Sequence, residues 1–216
     1  MAEVPPRPPV QIYLVTPAID DVAAFLPALR AALSAGDIAC VLFTPVAGDD
    51  SSAKKLIKEI APVVQGAGAA LLVSGWSAVV ARAGADGVHL NDGRKGLADA
   101  LDSFKPERIV GAGGIRTRDE AMTVAESGVD YVMFGEPARD GRLPPLEGVV
   151  ERTAWWSELF EVPCVAFAPD LAAVPLLADA GADFVALGNA VWNHEQGPAE
   201  AVALADRLLK QRGSLA

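Results

Sequence analysis

Eight short runs rich in Val, Ile, Leu and Phe recur along this chain, each followed by a longer amphipathic stretch, and that alternation constrains the fold more than any other feature. The runs lie at 11–16, 38–43, 70–74, 87–90, 108–112, 130–135, 163–168 and 183–188. Helical periodicity follows at 21–35, 51–66, 76–83, 94–103, 117–127, 147–160, 170–180 and 197–211. Strands that alternate with helices imply a parallel sheet. With 216 residues spread over eight units, each unit averages 27 residues, which suits an α/β fold of the (β/α)8 TIM-barrel type in a single domain. That domain is expected over 10–216, after a proline-rich tail at 1–9. An open doubly wound sheet is the alternative, though such sheets usually have fewer strands.

Three of the runs share an entry. GADGVHL begins at Gly84, GVDYVMFG at Gly128 and GADFVALG at Gly181. Glycine accepts the left-handed backbone that ends a helix, and aspartate ties down loop N–H groups before the apolar run starts. Asp86, Asp130 and Asp183 are therefore expected at the N-terminal, stabilising face of the barrel, away from the chemistry. Other local signals agree: Ser51 or Ser52 as a helix cap, Thr117 with Glu120 as a capping box, and Gly36, Gly128 and Gly181 as helix stops.

Composition narrows the function. The chain has 18 Lys+Arg against 28 Asp+Glu, a net charge of −10, which argues against a nucleic-acid or anionic-membrane surface. A small phosphorylated ligand stays compatible, because a few backbone N–H groups hold one. The start, MAEVPPRPPV, lacks the basic and apolar regions of a signal peptide. The uncharged run from Ile60 to Ala81 has the length of a membrane span, but Pro62, Gly66, Gly68 and Gly75 divide it into helix, strand and helix. A cytoplasmic protein is expected. Cys40 and Cys164 each sit within an apolar run and read as buried thiols.

A barrel of this kind places its site at the C-terminal ends of the strands. Thr16, Thr44, Ser74, Asn91, Asp92, Gly113, Gly114, Glu136, Asp170 and Asn189 occupy those ends. Gly188, Asn189 and Ala190 start a helical turn suited to phosphate. Gly113 and Gly114, in GAGGIRTR, permit close backbone approach, and Arg116 or Arg118 adds charge. His89 lies on the fourth strand, as a core histidine or a catalytic one. Asp92 offers a carboxylate for Mg²⁺, or is simply a turn residue. Glu136, Arg139 and Arg142 form a polar loop after the sixth strand. Thr16, Thr44, Ser74 and Arg139 would line the substrate pocket, and His194 reads as a loop residue. Adjacent Trp155 and Trp156 point about 100° apart on a helix. One of them is expected to be partly exposed, where it would mark a homodimer face.

These residues resemble the thiamine phosphate synthase family, which includes the related thiazole tautomerases. The likeness runs from YLVT (13–16) through GADGVHL (84–90), IVGAGGIRTRDEA (109–121) and GVDYVMFG (128–135) to GADFVALGNAV (181–191). The resemblance implies a (β/α)8 barrel that couples hydroxymethylpyrimidine diphosphate to a thiazole phosphate, releasing pyrophosphate with Mg²⁺ assistance. Phosphate would fall to Gly188, Asn189, Ala190, Gly113, Gly114 and Arg116. Catalysis would fall to Asp92, His89 and Glu136, with Asp92 on the metal. Several family positions differ here. The charged pattern after the second strand is VLFTP (41–45), the Asn-Asp pair after the third is Ser74-Gly75, and Gly-Gly-Ile after the seventh is Ala168-Pro169-Asp170. The Gly-Gln-x-Asp pattern after the histidine is Asn91-Asp92-Gly93-Arg94. Two functions are consistent with a scaffold whose diphosphate-gripping and Mg²⁺-binding residues are replaced. One is a synthase-like enzyme acting on a phosphorylated small molecule. The other is a non-catalytic protein that binds such a metabolite or a partner protein.

Overall fold

The computed structural model describes residues 8–92 and 95–213. Most of the proline-rich tail expected at 1–9, and Gly93 and Arg94 of the fourth loop, lie outside the described residues. Eight parallel strands close into a barrel in sequence order. They are β1 (Gln11–Ile19), β2 (Ile38–Pro45), β3 (Ala70–Ser74), β4 (Gly87–Leu90), β5 (Ile109–Ala112), β6 (Tyr131–Phe134), β7 (Cys164–Ala168) and β8 (Phe184–Leu187). The helices between them are α1 (Val22–Leu33), α2 (Asp50–Gly66), α3 (Ser77–Ala83), α4 (Leu97–Phe104), α5 (Arg118–Glu126), α6 (Leu146–Leu159) and α7 (Ala173–Asp179). A short α8 (Asn189–Trp192) precedes the last helix, α9 (Pro198–Gly213). The open-sheet alternative is excluded, because β1 pairs with both β2 and β8.

Alternation along each strand sorts the side chains into two layers. Tyr13, Cys40, Leu42, Leu72, Tyr131, Met133, Val165, Phe167 and Ala186 fill the lumen. The residues between them, such as Leu14, Val41, Leu71, Val88, Val110, Val132, Ala166 and Val185, face the helices in the larger outer core. Both cysteines are buried thiols. The run from Ile60 to Ala81 divides into the end of α2, β3 and the start of α3, although α2 continues through Pro62 to Gly66. Among the described residues no helix is long and apolar enough to cross a membrane.

The repeated aspartate acts across strands. Asp86 carboxylate accepts the Leu71 N–H at 2.7 Å, Asp130 that of Val110 at 2.7 Å, and Asp183 that of Cys164 at 2.8 Å. Each aspartate also donates its own N–H to the carbonyl of the same residue. The side chain thus continues the ladder one rung beyond the start of β4, β6 and β8, fastening each to the strand before it. Asp37, ahead of β2, uses its carboxylate on the Gln11 side chain of β1 instead.

Two local expectations change. The cap of α2 is Asp49, which accepts from the Ser52 N–H, and neither Ser51 nor Ser52; a carboxylate at that position also favours the positive end of the helix dipole. The stop of α1 is Ser34, and Gly36 is instead packed so tightly against Val202 and Asp206 of α9 that a β-carbon would lie 3.0 Å from each. The Thr117–Glu120 capping box forms, and Gly128 and Gly181 take φ of 98° and 89°. Trp156 is fully buried and donates its indole N–H to the Val162 carbonyl, whereas Trp155 is half-buried beneath Arg118.

Replacing Asp183 with Ala removes a charged acceptor from a strand N–H. The expected loss is about 1.5–3 kcal/mol of unfolding free energy, read from urea denaturation. A loss below about 0.5 kcal/mol contradicts the cross-strand role.

Candidate active site

Register decides what meets in the lumen. His89 on β4 pairs with Gly111 on β5, and Gly111 pairs with Tyr131 on β6. All three face inward at one level, and the middle residue has no side chain. The rings of His89 and Tyr131 therefore meet across β5, near-parallel at 14° with centroids 5.7 Å apart. A β-carbon on Gly111 would fall 1.9 Å from the Tyr131 ring. One layer nearer the mouth, a β-carbon on Gly113 would lie 1.6 Å from Glu136 Oε2. The two glycines are alternate inward positions, and the space they leave is occupied by side chains from the flanking strands.

A continuous polar chain runs through that space. Tyr13 and Tyr131 hydroxyls are 2.8 Å apart, Tyr131 hydroxyl is 2.8 Å from His89 Nδ1, and His89 Nε2 is 2.8 Å from Glu136 Oε1. Glu136 Oε2 accepts the Gly114 N–H at 2.7 Å. Burial pushes both phenols well above their ordinary range, and their mutual proximity adds to the effect on Tyr13. Both hydroxyls therefore keep their protons. A chain in which Tyr13 donates to Tyr131, Tyr131 to Nδ1, and Nε2–H to Glu136 satisfies every member. Cys40, deeper in the lumen, also has its thiol pushed up by burial and is a poor nucleophile.

Glu136 opens onto a cavity of about 1110 Å³ at the C-terminal ends of β4, β5 and β6. Lys95, Arg116, Arg139, Arg142 and Arg152 line it, together with Asn91, Asp92, Glu120, Met133 and Asp140. Arg116, Arg139 and Arg142, expected near the site from the sequence, are joined here by Lys95 and Arg152, so the cations are carried by the loops after β4, β5 and β6 and by α6. Arg139 Nη2 lies 2.7 Å from both oxygens of Asp92, and Arg142 Nε is 2.6 Å from Asp140. Arg152 donates to the Ile115 carbonyl and sits over the Phe134 ring. A second cavity of about 570 Å³ between α3 and α4 shares Asn91, Asp92 and Lys95 with the first and reaches His89.

The other expected residues lie elsewhere. Thr16 is buried and joins β1 to β2, accepting the Thr44 N–H and donating to the Pro17 carbonyl. Ser74 ends β3 beside His89 in register. Gly188, Asn189 and Ala190 open α8 without a side-chain cap, and none of them lines either cavity. Asp170 accepts the Ala173 N–H at the start of α7, and His194 Nδ1 accepts the Gln196 N–H in a turn. Sequence reasoning missed Tyr13, Tyr131, Lys95 and Arg152. For the two tyrosines a signal existed: a buried phenol needs a hydrogen-bond partner, and both lie at inward strand positions.

The profile of the thiamine monophosphate synthase family matches residues 12–191. The thiamine-phosphate synthase of Rhodospirillum centenum is 38% identical over 202 residues, covering 93% of this chain and 98% of that protein. That of Hyphomonas neptunium is 36% identical over 208 residues, covering 91% and 92%. The thiamine phosphate pyrophosphorylase of Pyrococcus furiosus has the same fold, with a TM-score of 0.77 at 20% identity over 94% of this chain and 96% of that one.

The raised phenols set a pH dependence. A tyrosine whose native value lies above its unfolded value of about 10 adds full stability below that pH and loses it as pH rises further. Each contributes a slope of about −1.4 kcal/mol per pH unit above pH ~10. Tyr131→Phe is expected to remove one such contribution, flattening the alkaline limb by about 1.4 kcal/mol per unit in urea unfolding between pH 9 and 11.5. An unchanged limb contradicts the buried, protonated assignment.

Proposed function

This chain belongs to the thiamine monophosphate synthase family, and on that premise we propose that it couples hydroxymethylpyrimidine diphosphate to a thiazole phosphate with release of pyrophosphate. The observation that carries this reading is the cavity at the ends of β4 to β6, with its five cationic side chains. A departing pyrophosphate needs preorganised positive charge, and removing one such donor commonly costs about 10²–10³ in kcat. Where the family pattern expects charge after the second strand, this chain supplies it from Arg116, Arg139, Arg142, Arg152 and Lys95. The Arg116 backbone N–H is taken up by the Glu120 carboxylate. Its exposed guanidinium lines the cavity outside the ion pairs that occupy Arg139 and Arg142, and it is the first candidate to grip the leaving group. The phosphate of the thiazole falls to Gly188, Asn189 and Ala190, where α8 begins uncapped.

The Mg²⁺ that the family resemblance implies has no preformed site among the described residues. Asp92 has both oxygens held by Arg139, Glu136 is engaged by His89 and Gly114, and no group of three His, Cys, Asp or Glu converges. The engagement of Asp92 by Arg139 and of Glu136 by His89 and Gly114 favours a second reading, a non-catalytic protein that binds a phosphorylated metabolite.

One experiment separates the two. Purified protein is incubated with both substrates, with and without Mg²⁺, and thiamine phosphate is measured. Product formation is expected, with kcat reduced about 100-fold in Arg116→Gln. No product at high enzyme concentration rejects the synthase reading. Thermal stabilisation by pyrophosphate in that same sample, about 2.7 kcal/mol at 100 times its Kd, then supports the binding protein.

A further inference from the structure

The cavity at the ends of β4 to β6 is polarised. Its rim carries the cations, two of them in ion pairs with Asp92 and Asp140 and with Glu120 nearby in the lining, and the Arg139 and Arg142 side chains are 84% and 83% exposed. Its floor carries Met133, which is buried, and the carboxylate of Glu136, whose side chain is only 12% exposed. Among the described residues Glu136 is paired with no Lys or Arg; its side-chain partner is the His89 ring. The groups that hold it are donors in a directed chain, starting from two phenols that burial keeps protonated, plus one backbone N–H. Such donors stabilise a carboxylate in place without setting a permanent cation against it. The negative charge therefore remains available to whatever fills the cavity.

This inference rests on the synthase reading above. In that reaction the C–O bond between the pyrimidine methylene and the diphosphate breaks, and its electron pair leaves with the oxygen. The methylene and its ring are left electron-poor. The lone pair of the thiazole nitrogen then forms the new C–N bond, and that nitrogen becomes quaternary and positive. Atoms and charge balance without a proton acceptor: one anion departs toward the rim and one organic cation persists to the product. An anion on the floor opposite cations on the rim matches this separation, and oriented charge of this kind acts where charge develops.

We propose that Glu136 is the counter-charge to the organic cation, a catalytic residue that contacts the ring as positive charge develops. Tyr13, Tyr131 and His89 are the positioning residues that hold it there. Gly111 and Gly113 leave the room in which the chain forms.

The test compares two ligands that carry a phosphate on a charged or an uncharged thiazole. Dissociation constants for thiamine phosphate, which is cationic, and thiazole phosphate, which is neutral at the ring, are measured by calorimetry. In Glu136→Gln the affinity for thiamine phosphate should fall at least about tenfold and that for thiazole phosphate less than about twofold. In the same variant kcat should fall about 100-fold, with KM for thiazole phosphate little changed. Glu136→Asp keeps the charge and should retain most of the preference for the cationic ligand. Tyr131→Phe should lose part of that preference, a readout that a purely structural hydroxyl would leave unmoved. Equal weakening of both ligands in Glu136→Gln, or none, overturns the proposal while leaving the synthase reading intact. Failure of the wild-type protein to bind pyrophosphate or either thiazole ligand rejects that reading itself, and the proposal with it.

Discussion

The candidate site depends on the absence of two side chains. Gly111 and Gly113 are the inward positions of β5 and its exit, and at each a β-carbon would overlap groups delivered by β4 and β6. A barrel lumen is normally filled by large branched residues. Here β5 yields its share of the volume, so Tyr131 and His89 stack across it and Glu136 reaches the histidine. Glycine in a strand costs about 0.5–1 kcal/mol relative to alanine. The four hydrogen bonds of the polar chain, each worth about 0.5–1.5 kcal/mol net, offset that cost. Local strand stability is thus exchanged for a fixed carboxylate at the mouth.

The opposite end of the barrel is built for the reverse purpose. Asp86, Asp130 and Asp183 each close a two-way pairing with a residue on the preceding strand. They act before β4, β6 and β8, the alternate strands. The two ends divide the labour along the barrel axis: carboxylates at the bottom satisfy strand N–H groups, and a carboxylate at the top faces a cavity. Glu136 differs from the other three in its partners, a histidine ring and a loop N–H, and in its aspect toward open volume.

The fold was legible because hydrophobic periodicity reports burial directly, and all eight strands lie within the ranges it marks or extend them by a few residues. The Gly-x-Asp entries were legible as joints, but their bonds were not, since the acceptor role depends on register with another strand. GAGGIRTR shows the limit most clearly. Its glycines read as a loop open to phosphate, whereas Gly111 and Gly113 are space for the Tyr131 ring and the Glu136 carboxylate, which belong to the next strand and its exit. Lys95 and Arg152 were missed for a related reason. Comparing family positions one at a time registers what is lost after β2 and β3. It does not register Lys95 and Arg152, which meet Arg116, Arg139 and Arg142 only once the barrel closes.

Why such a transfer of charge is physically tolerable follows from what a diphosphate senses. Its oxygens respond to the summed field in the cavity, so cations arriving from β4 to β6 serve as well as cations from β2, provided they surround the same volume. The rim pairs suit this role. Arg139–Asp92 and Arg142–Asp140 are solvent-exposed ion pairs, a class that contributes little to stability. In the proposed reaction an incoming polyanion would displace Asp92 or Asp140 at little cost and gain a forked donor. Glu136–His89 is the contrasting case, since His89 is buried and the pair is anchored at both ends. Separating it would leave a polar group without a partner in the lumen, which costs more than any rim contact returns. In the proposed reaction the mouth would therefore be adaptable where it meets the leaving anion and rigid where it meets the ring.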